Sequence, residues 1–528
     1  MRTYSPVYLD YVDQASIYSS GTRRYFLTTD SRTTNALHDD ITFNREKLEG
    51  VFSRCGDVHF QQWNYGDGFA FQAVSVYCSS LADYSSHLLQ RALEKIPGYE
   101  SEDWNSMTPE KLRRCLQVNN ASLQPFSLLE SFEDVYESVM NGFIVILFDQ
   151  VNQALGFPTE SATRRQITEP VNEPAVHGPR EGTTEDLSLN LTLLRSRIRN
   201  PAFKLEFLQS GAVTKSAICF GYLDGVVNPD VLAEFRRRVE SITDYEVLET
   251  SYIDDWIQES TLSPFPQVRY TERTDTAAAA VLDGKIIVLV ENSPMIMICP
   301  AFLVDFMGTA EDYYVRSIFS SFIRMLRLLA FIIALTLPSL YIALSTFHPE
   351  LIPTVLLLAI VDSREGIPFP AFFEALVMEA SFELLREAGI RLPRTVGSAV
   401  SIVGALVIGQ AAIMAKIASP IMVIVVALTG IASFAIPHYD LAISLRLLRF
   451  PYMIAAGLLG GYGLMVVFLL TLLHLTSLHS LGEPYLTSIA PFKPRDWRDL
   501  FIRVPLKVFL RSPRNRKLLR LGGRRPHP

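Results

Sequence analysis

The hydropathy of this chain changes abruptly near residue 320, and that boundary restricts what it can fold into more than any other feature. Up to about residue 320 charged and apolar residues are mixed, whereas from Leu326 to about Leu475 apolar runs dominate. Runs of such length are expected to enter or cross a bilayer. The expected fold class is therefore a soluble α/β N-terminal half, built from two related subdomains, joined to an all-α membrane domain with four to five transmembrane segments. The hydrophobic content of 49% and mean hydropathy of +0.20 reflect this concentration, since a uniformly soluble chain is less apolar.

Charge is as unevenly placed as hydropathy. The formal net charge is -7, yet from Lys493 to the end the chain carries a local excess of ten positive charges, with only Asp496 and Asp499 opposing it. A basic segment directly after the last apolar run fits the positive-inside pattern and an anionic cytoplasmic leaflet. The five cysteines, Cys55, Cys78, Cys115, Cys219 and Cys299, form no CxxC pair, so neither a disulfide framework nor a metal site is expected. The opening stretch lacks the apolar core of a signal peptide, which leaves insertion to the internal segments.

Two stretches of the soluble half follow one plan. Phe69 to Ile96 and Ser216 to Ile242 each read as an alternating strand, a polar break and an amphipathic helix. Each is followed downstream by a turn signal and a β-branched run: NGFIVILFDQVNQAL from Asn141 and DGKIIVLVENSPMIM from Asp283. Between them the prolines and glycines from Pro170 to Gly182 predict an extended loop, and a helix follows with Thr184 as its N-cap and Arg195, Arg197 and Arg199 in its last turn. His177 stands among carboxylates in that loop, but no nucleophile, metal-ligand spacing or phosphate-cradling glycine run accompanies it. Catalysis and cofactor binding are not expected, and a structural or docking role is. Arg269, Glu272, Arg273 and Asp275 are expected to form solvent-facing ion pairs.

In the apolar half, Leu328 to Leu344, Val396 to Met414, Ile421 to Ile436 and Pro451 to Leu475 read as spans, the first kinked at Pro338 and flanked by Arg324 and Arg327. Leu351 to Val361 is too short to cross unaided, so it is either re-entrant or a fifth crossing. A cytoplasmic N-terminal half and a cytoplasmic basic tail require an even number of crossings, which favours four. The resulting organisation is a poorly ordered leader over 1–40, α/β subdomains over 41–165 and 201–318 around a loop and helix over 166–200, a membrane domain over 319–480 and a basic tail over 481–528.

The junction within the membrane half carries three candidate surfaces. Glu379, Glu383 and Glu387 recur at i, i+4 and i+8 on one helix face, where like charges disfavour an isolated helix unless they meet basic groups or permeating cations. Gly389 is expected to end that helix and Pro393 to open the next. In the following span Gly397, Ser401, Ala405 and Gly409 form a small-residue face suited to close helix packing and oligomerisation. Val400, Val403, Val407 and Gln410 form a second stripe, either lipid-facing or lining a pore that gates by dewetting.

The motifs TEPVNEPAVHGPREG, NLTLLRSRIRNP, YLDG, PFPQ, EDYY, LPSLYIAL, REGIPFP and ELLREAGIRLP resemble those of the A subunits of GerA-type spore germination receptors. One departure is Thr274 in TERTD, where the family more often has proline. The resemblance implies a multi-pass protein of the spore inner membrane with a cytoplasmic N-terminal half. Its implied partners are a transporter-like B subunit that carries the nutrient pocket, a lipoprotein C subunit and further copies of itself. It also implies oligomerisation into a nutrient-gated channel that releases ions, in which the residue pattern makes Glu379, Glu383 and Glu387 the candidate acidic vestibule of a cation path and the Val403 stripe the candidate gate, though the resemblance does not assign the pore-lining helix. Nucleic acid is not an expected partner. A non-conducting receptor scaffold and a secondary transporter are the alternatives.

Overall fold

The computed structural model describes residues 35–82, 84, 107–118, 126–159, 169–393, 404, 407–487, 489–490 and 502–503. These fall into two compact units, one of residues up to Ile257 with Tyr270–Cys299, the other of Gln258–Arg269 with Pro300–Pro505.

The first unit is built on two five-stranded sheets. Its first part runs α1 (Ile41–Val51), β1 (Val58–Tyr65), β2 (Phe71–Cys78), α2 (Pro109–Val118), β3 (Ser127–Leu129), α3 (Phe132–Met140), β4 (Phe143–Phe148) and β5 (Ala154–Pro158). Its second part runs α4 (Leu187–Arg197), β6 (Phe203–Ser210), β7 (Ser216–Leu223), α5 (Pro229–Glu240), α6 (Thr250–Ile257), β8 (Arg269–Thr271), α7 (Thr274–Leu282), β9 (Ile286–Val290) and β10 (Ile296–Cys299). The strand orders are β1-β2-β4-β5-β3 and β6-β7-β9-β10-β8, the same topology twice. The central strands, FIVILF and IIVLV, are buried almost throughout, because helices or a second apolar cluster cover the faces of the sheets.

Two glycines show how closely the halves correspond. Asn141 and Asp283 are the C-caps of α3 and α7, and Gly142 (φ 83°) and Gly284 (φ 86°) follow in the left-handed conformation that ends such helices. A Cβ at Gly142 would lie 3.1 Å from the Leu81 carbonyl oxygen, and one at Gly284 would lie 2.9 Å from that of Val226. Both carbonyls sit three residues past the end of the second strand of their sheet. The Asn-Gly and Asp-Gly pairs thus stop a helix and launch the central strand, while the hairpin turn comes after it. The helical end of Phe69 to Ile96 lies outside the described residues.

Several local expectations are corrected. The N-cap of α4 is Asp186, whose Oδ1 accepts from the N–H groups of Ser188 at 2.9 Å and Leu189 at 3.2 Å; the carbonyl of Thr184 is instead held by Asn190. Glu272 and Arg273 do not face solvent. Glu272 is buried and accepts from the backbone N–H groups of Val171 (2.7 Å) and Asn172 (3.2 Å), tying down the Pro/Gly loop. Arg273 is buried too, pairing with Asp275 at 2.8 Å and donating to the Pro179 carbonyl at 3.0 Å. Thr274 is the first residue of α7, a position where proline is accommodated because its N–H has no helical partner. Here the threonine hydroxyl accepts from Arg197 Nε at 3.0 Å, a contact proline cannot make.

The two sheets are clamped by charge. Gly56 N–H donates to the Leu205 carbonyl at 2.8 Å, and beside it Arg195 donates from Nε and Nη2 to the two oxygens of Asp57 at 2.9 and 2.8 Å. Both side chains are essentially inaccessible (0% and 1%). Arg195 Nη1 also donates to the carbonyls of Phe203 (2.9 Å) and Asn200 (3.2 Å). Burial alone would raise the Asp57 carboxyl, but the Arg195 charge and hydrogen bonds outweigh it and hold the group below the usual carboxylate range.

The second unit is helical: α8 (Ser317–Thr346), α9 (Thr354–Ser363), α10 (Ala371–Arg391), α11 (Pro420–Phe434) and α12 (Tyr439–Ser477), with residues 407–414 also helical. Only α8 and α12, among the described residues, are long and apolar enough to cross a membrane. With 30 residues α8 is about 45 Å long, some 15 Å more than the hydrocarbon core. The 10 residues of α9 rise about 15 Å and the 15 of α11 about 22 Å, so neither spans as a helix alone. Buried alanines, Ala334 and Ala343 on α8, Ala375 on α10, Ala442 and Ala456 on α12, sit where the helices approach.

Two boundaries differ from expectation. Gly389 does not end α10, which continues to Arg391; the helix stops at Leu392, whose extended ψ of 152° is what a residue before proline adopts. The last helix starts at Tyr439 instead of Pro451 and is interrupted at Gly460 (φ 62°, ψ -141°). A Cβ at Gly460 would lie 2.7 Å from the Phe347 ring, so the break is tied to glycine by conformation and by space.

Candidate functional site

The acidic face of α10 is met by arginines. Glu379 and Glu383 lie one turn apart on α10, and Arg446 and Arg449 lie three residues apart on α12, before Pro451. Arg449 Nη1 donates to Glu379 Oε2 at 2.5 Å, and Arg446 Nη1 donates to Glu383 Oε1 at 2.8 Å. The higher-numbered glutamate takes the lower-numbered arginine, so the two helices run antiparallel through this ladder. Arg449 Nε also donates to the Ala334 carbonyl of α8 at 2.9 Å, which brings a third helix into it.

Exposure rises along the ladder. Glu379 and Arg449 are buried to 5% and 4%, Glu383 is 41% exposed, and Glu387 is exposed and paired at 2.6 Å only with Arg391 of its own helix. Arg386 lies 3.6 Å from Glu383, donates to the Ser433 hydroxyl at 3.1 Å and stacks on the Phe434 ring. Glu379, Glu383, Arg386, Arg446 and Arg449 together leave one uncompensated positive charge. Three buried atoms of this group, Glu379 Oε1, Arg386 Nε and Arg449 Nη2, have no hydrogen-bond partner. Each unmet buried atom carries a desolvation cost in a low-dielectric bundle, so this network is less completely satisfied than one built for stability alone.

A second buried carboxylate was not singled out by sequence. Glu374, in the first turn of α10, accepts from the backbone N–H of Ser419 at 2.9 Å, at the start of α11. Arg364, at the end of α9, stands 3.0 Å from its other oxygen, near enough for an ion pair but out of line for a hydrogen bond. Glu374 thereby joins α9, α10 and α11. Its only sequence signal was an acid in the apolar opening of a helix, two residues after Phe372. Arg324 and Arg327, expected as a basic flank to the first span, are instead committed to the buried Asp312 at 3.2 and 2.7 Å.

Of the stripes predicted after α10, Val400, Val403, Gly397, Ser401 and Ala405 lie outside the described residues. Val407 and Gln410 are exposed, while Gly409 is buried with Val423 beside it.

The chain thus joins an α/β unit built on a repeated antiparallel sheet to a helical unit that buries paired charges and holds, among the described residues, two helices long and apolar enough to cross a membrane. The family model described as Bacillus/Clostridium GerA spore germination protein matches residues 46–515. The chain belongs to this family. It is 40% identical to the membrane protein YfkQ of Bacillus subtilis over 90% of its own length and 91% of that protein. It is also 40% identical to spore germination protein KA of Bacillus subtilis, covering 85% of this chain and 81% of that one. The crystal structure of the N-terminal domain of the A subunit of the Bacillus megaterium spore germinant receptor GerK3 aligns with a TM-score of 0.39 at 22% identity, over 52% of this chain and 99% of that domain.

Proposed function

We propose that this protein is the A subunit of a spore germinant receptor and that its helical unit oligomerises in the spore inner membrane into a nutrient-gated, cation-conducting channel. Family membership supports the receptor assignment. The observation that carries the channel reading is the α10–α12 charge ladder, since paired charges within apolar helices are retained where a pathway or a moving element needs them. In this reading α8, Val396 to Met414, α11 with its flanks, and α12 cross the membrane, α9 is re-entrant, and the N-terminal unit and basic tail are cytoplasmic. Glu383 and Glu387, the exposed end of the acidic face, line the vestibule. Val400, Val403 and Val407 form the gate, with Gln410 beyond it, and Gly397, Ser401, Ala405 and Gly409 pack against neighbouring helices. The nutrient is sensed by a transporter-like B subunit, a lipoprotein C subunit completes the receptor, and binding shifts a closed–open equilibrium.

The test is to purify the protein with its partners, determine its subunit number, and ask whether cysteines placed along Val396 to Met414 react from water and whether the assembly conducts. A ring in which positions 400, 403 and 407 react, and in which Val403→Ala leaks cations without nutrient, is expected. A closed-packed monomer with none of these positions accessible would defeat the channel. The interruption of α12 at Gly460 favours a second reading, a secondary transporter, because discontinuous helices mark transporter sites. Coupled uptake without conductance would select it over both the channel and a non-conducting scaffold.

A further inference from the structure

The charges of the α10–α12 ladder do not balance. Arg386, seven residues after Glu379 and three after Glu383, shares their face of α10, and Arg446 and Arg449 meet that face from α12. Two carboxylates therefore face three guanidinium groups. All three are largely withdrawn from water, with side-chain exposures of 11%, 9% and 4% for Arg386, Arg446 and Arg449. Arginine does not shed its proton to relieve such a site, so the excess positive charge is permanent.

Among the described residues, the other partners of these arginines are neutral. Arg386 donates to the Ser433 hydroxyl at 3.1 Å and lies over the Phe434 ring; Arg446 donates from Nε to the Ala442 carbonyl at 3.3 Å and lies over the Tyr439 ring; Arg449 donates from Nε to the Ala334 carbonyl at 2.9 Å. Carbonyls and a hydroxyl take up donors without taking up charge, and ring faces offset a cation only in part. Donors are in excess as well, since Arg386 Nε and Arg449 Nη2 are buried without an acceptor. The surplus charge and the surplus N–H groups belong to the same seam, and a bound anion answers both. A water molecule would accept from the two N–H groups and leave the charge. A divalent oxyanion would reverse the charge and needs more donors than these two.

We infer that the ladder binds one small monovalent inorganic anion of the size and charge of chloride, with Arg386 Nε and Arg449 Nη2 as its donors. The third unmet atom, Glu379 Oε1, repels an anion, which places the ion on the side of the seam towards Glu383. Glu383 is also the part-exposed end of the ladder, where an ion can enter. The inference concerns the packing of the helical unit and holds whether or not the protein conducts.

The full-length protein in detergent is titrated with radioactive chloride by equilibrium dialysis, at constant ionic strength with gluconate as the replacing anion. Saturable binding at one site per chain, competed by bromide and not by sulfate, is expected. Arg386→Met removes one donor and the excess charge, leaving two carboxylates against two arginines; it should stay monodisperse on gel filtration and bind chloride about tenfold more weakly. Glu383→Gln adds to the excess charge and should bind about threefold more tightly, a gain that partial unfolding cannot imitate. Absence of saturable chloride binding by monodisperse wild-type protein overturns the inference. So do binding that Arg386→Met leaves unchanged, competition by sulfate as strong as by bromide, and saturable rubidium binding in place of chloride, which would make Glu379 Oε1 a cation ligand. If Arg386→Met does not fold, Glu383→Gln decides alone, and binding no tighter than wild type overturns the site. Chloride binding by an assembly that does not conduct keeps this inference and defeats the channel; conductance without chloride binding does the reverse.

Discussion

The N-terminal unit and the helical unit both bury arginine–carboxylate pairs, but they complete them differently. Asp57 and Arg195 share two hydrogen bonds, Arg195 reaches two further carbonyls, and neither side chain has a buried atom left without a partner. In the α10–α12 ladder Glu379, Arg386 and Arg449 each keep an unpartnered buried atom, and Glu383 is part-exposed. The first arrangement has nowhere to go and fixes two sheets as one body. The second has spare donors beside a part-exposed acid, which suits a contact that must reform in another arrangement.

The largest effect is expected at the clamp. Arg195→Met leaves a buried carboxylate alone and should destabilise the N-terminal unit by about 3–5 kcal/mol, seen as loss of a cooperative melt. Asp57→Asn/Arg195→Met should not recover fully, because the carbonyls of Asn200 and Phe203 each lose the Arg195 donor. Asp57 also sets an acid limit. Its folded pKa is lowered, so its contribution is present above the unfolded value of about 3.9 and is lost as pH falls through the folded value. Asp57→Asn should flatten that acid limb of the stability profile.

The next effect sharpens the contrast. Arg449→Met should reduce the amount of folded protein in the membrane by a similar mechanism, yet Glu379→Met/Arg449→Met should restore it to near the wild-type level, since replacing both members of a buried pair by apolar groups is often neutral or stabilising, the Ala334 carbonyl alone losing its Arg449 donor. Failure of the double variant to recover would make the ladder as rigidly specified as the clamp. Glu383→Gln should change stability by no more than about 1 kcal/mol, its side chain being part-exposed and its amide oxygen still able to accept from Arg446, and any strong effect should appear in response to nutrient instead. Smallest is Thr274→Pro, expected to cost about 1 kcal/mol by taking the hydroxyl acceptor from Arg197 while suiting the first turn of α7. A melt of the N-terminal unit measures it.

What was legible in the sequence was what local pattern encodes. The change near residue 320, the repeated sheets behind FIVILF and IIVLV, and the Glu379–Glu383–Glu387 spacing all follow from composition or periodicity. Their partners do not. Arg195 reads locally as a cation at a helix C-terminus, and nothing nearby in sequence points to Asp57, 138 residues away. Arg446 and Arg449 read as a flank to a span, so one side of the ladder was visible and its closure was not. Strand β1, VHFQQWNY, escaped notice because only its two ends are buried and its alternation is weak.

The central claim, that the ladder is a working contact where the clamp is a fixed one, is tested most directly by nutrient-triggered cation conductance of the reconstituted receptor carrying Glu379→Met/Arg449→Met. Wild-type abundance and assembly with an altered closed–open balance, either leak without nutrient or a displaced nutrient threshold, is the predicted result. Wild-type abundance with unaltered conductance at every nutrient concentration would contradict it.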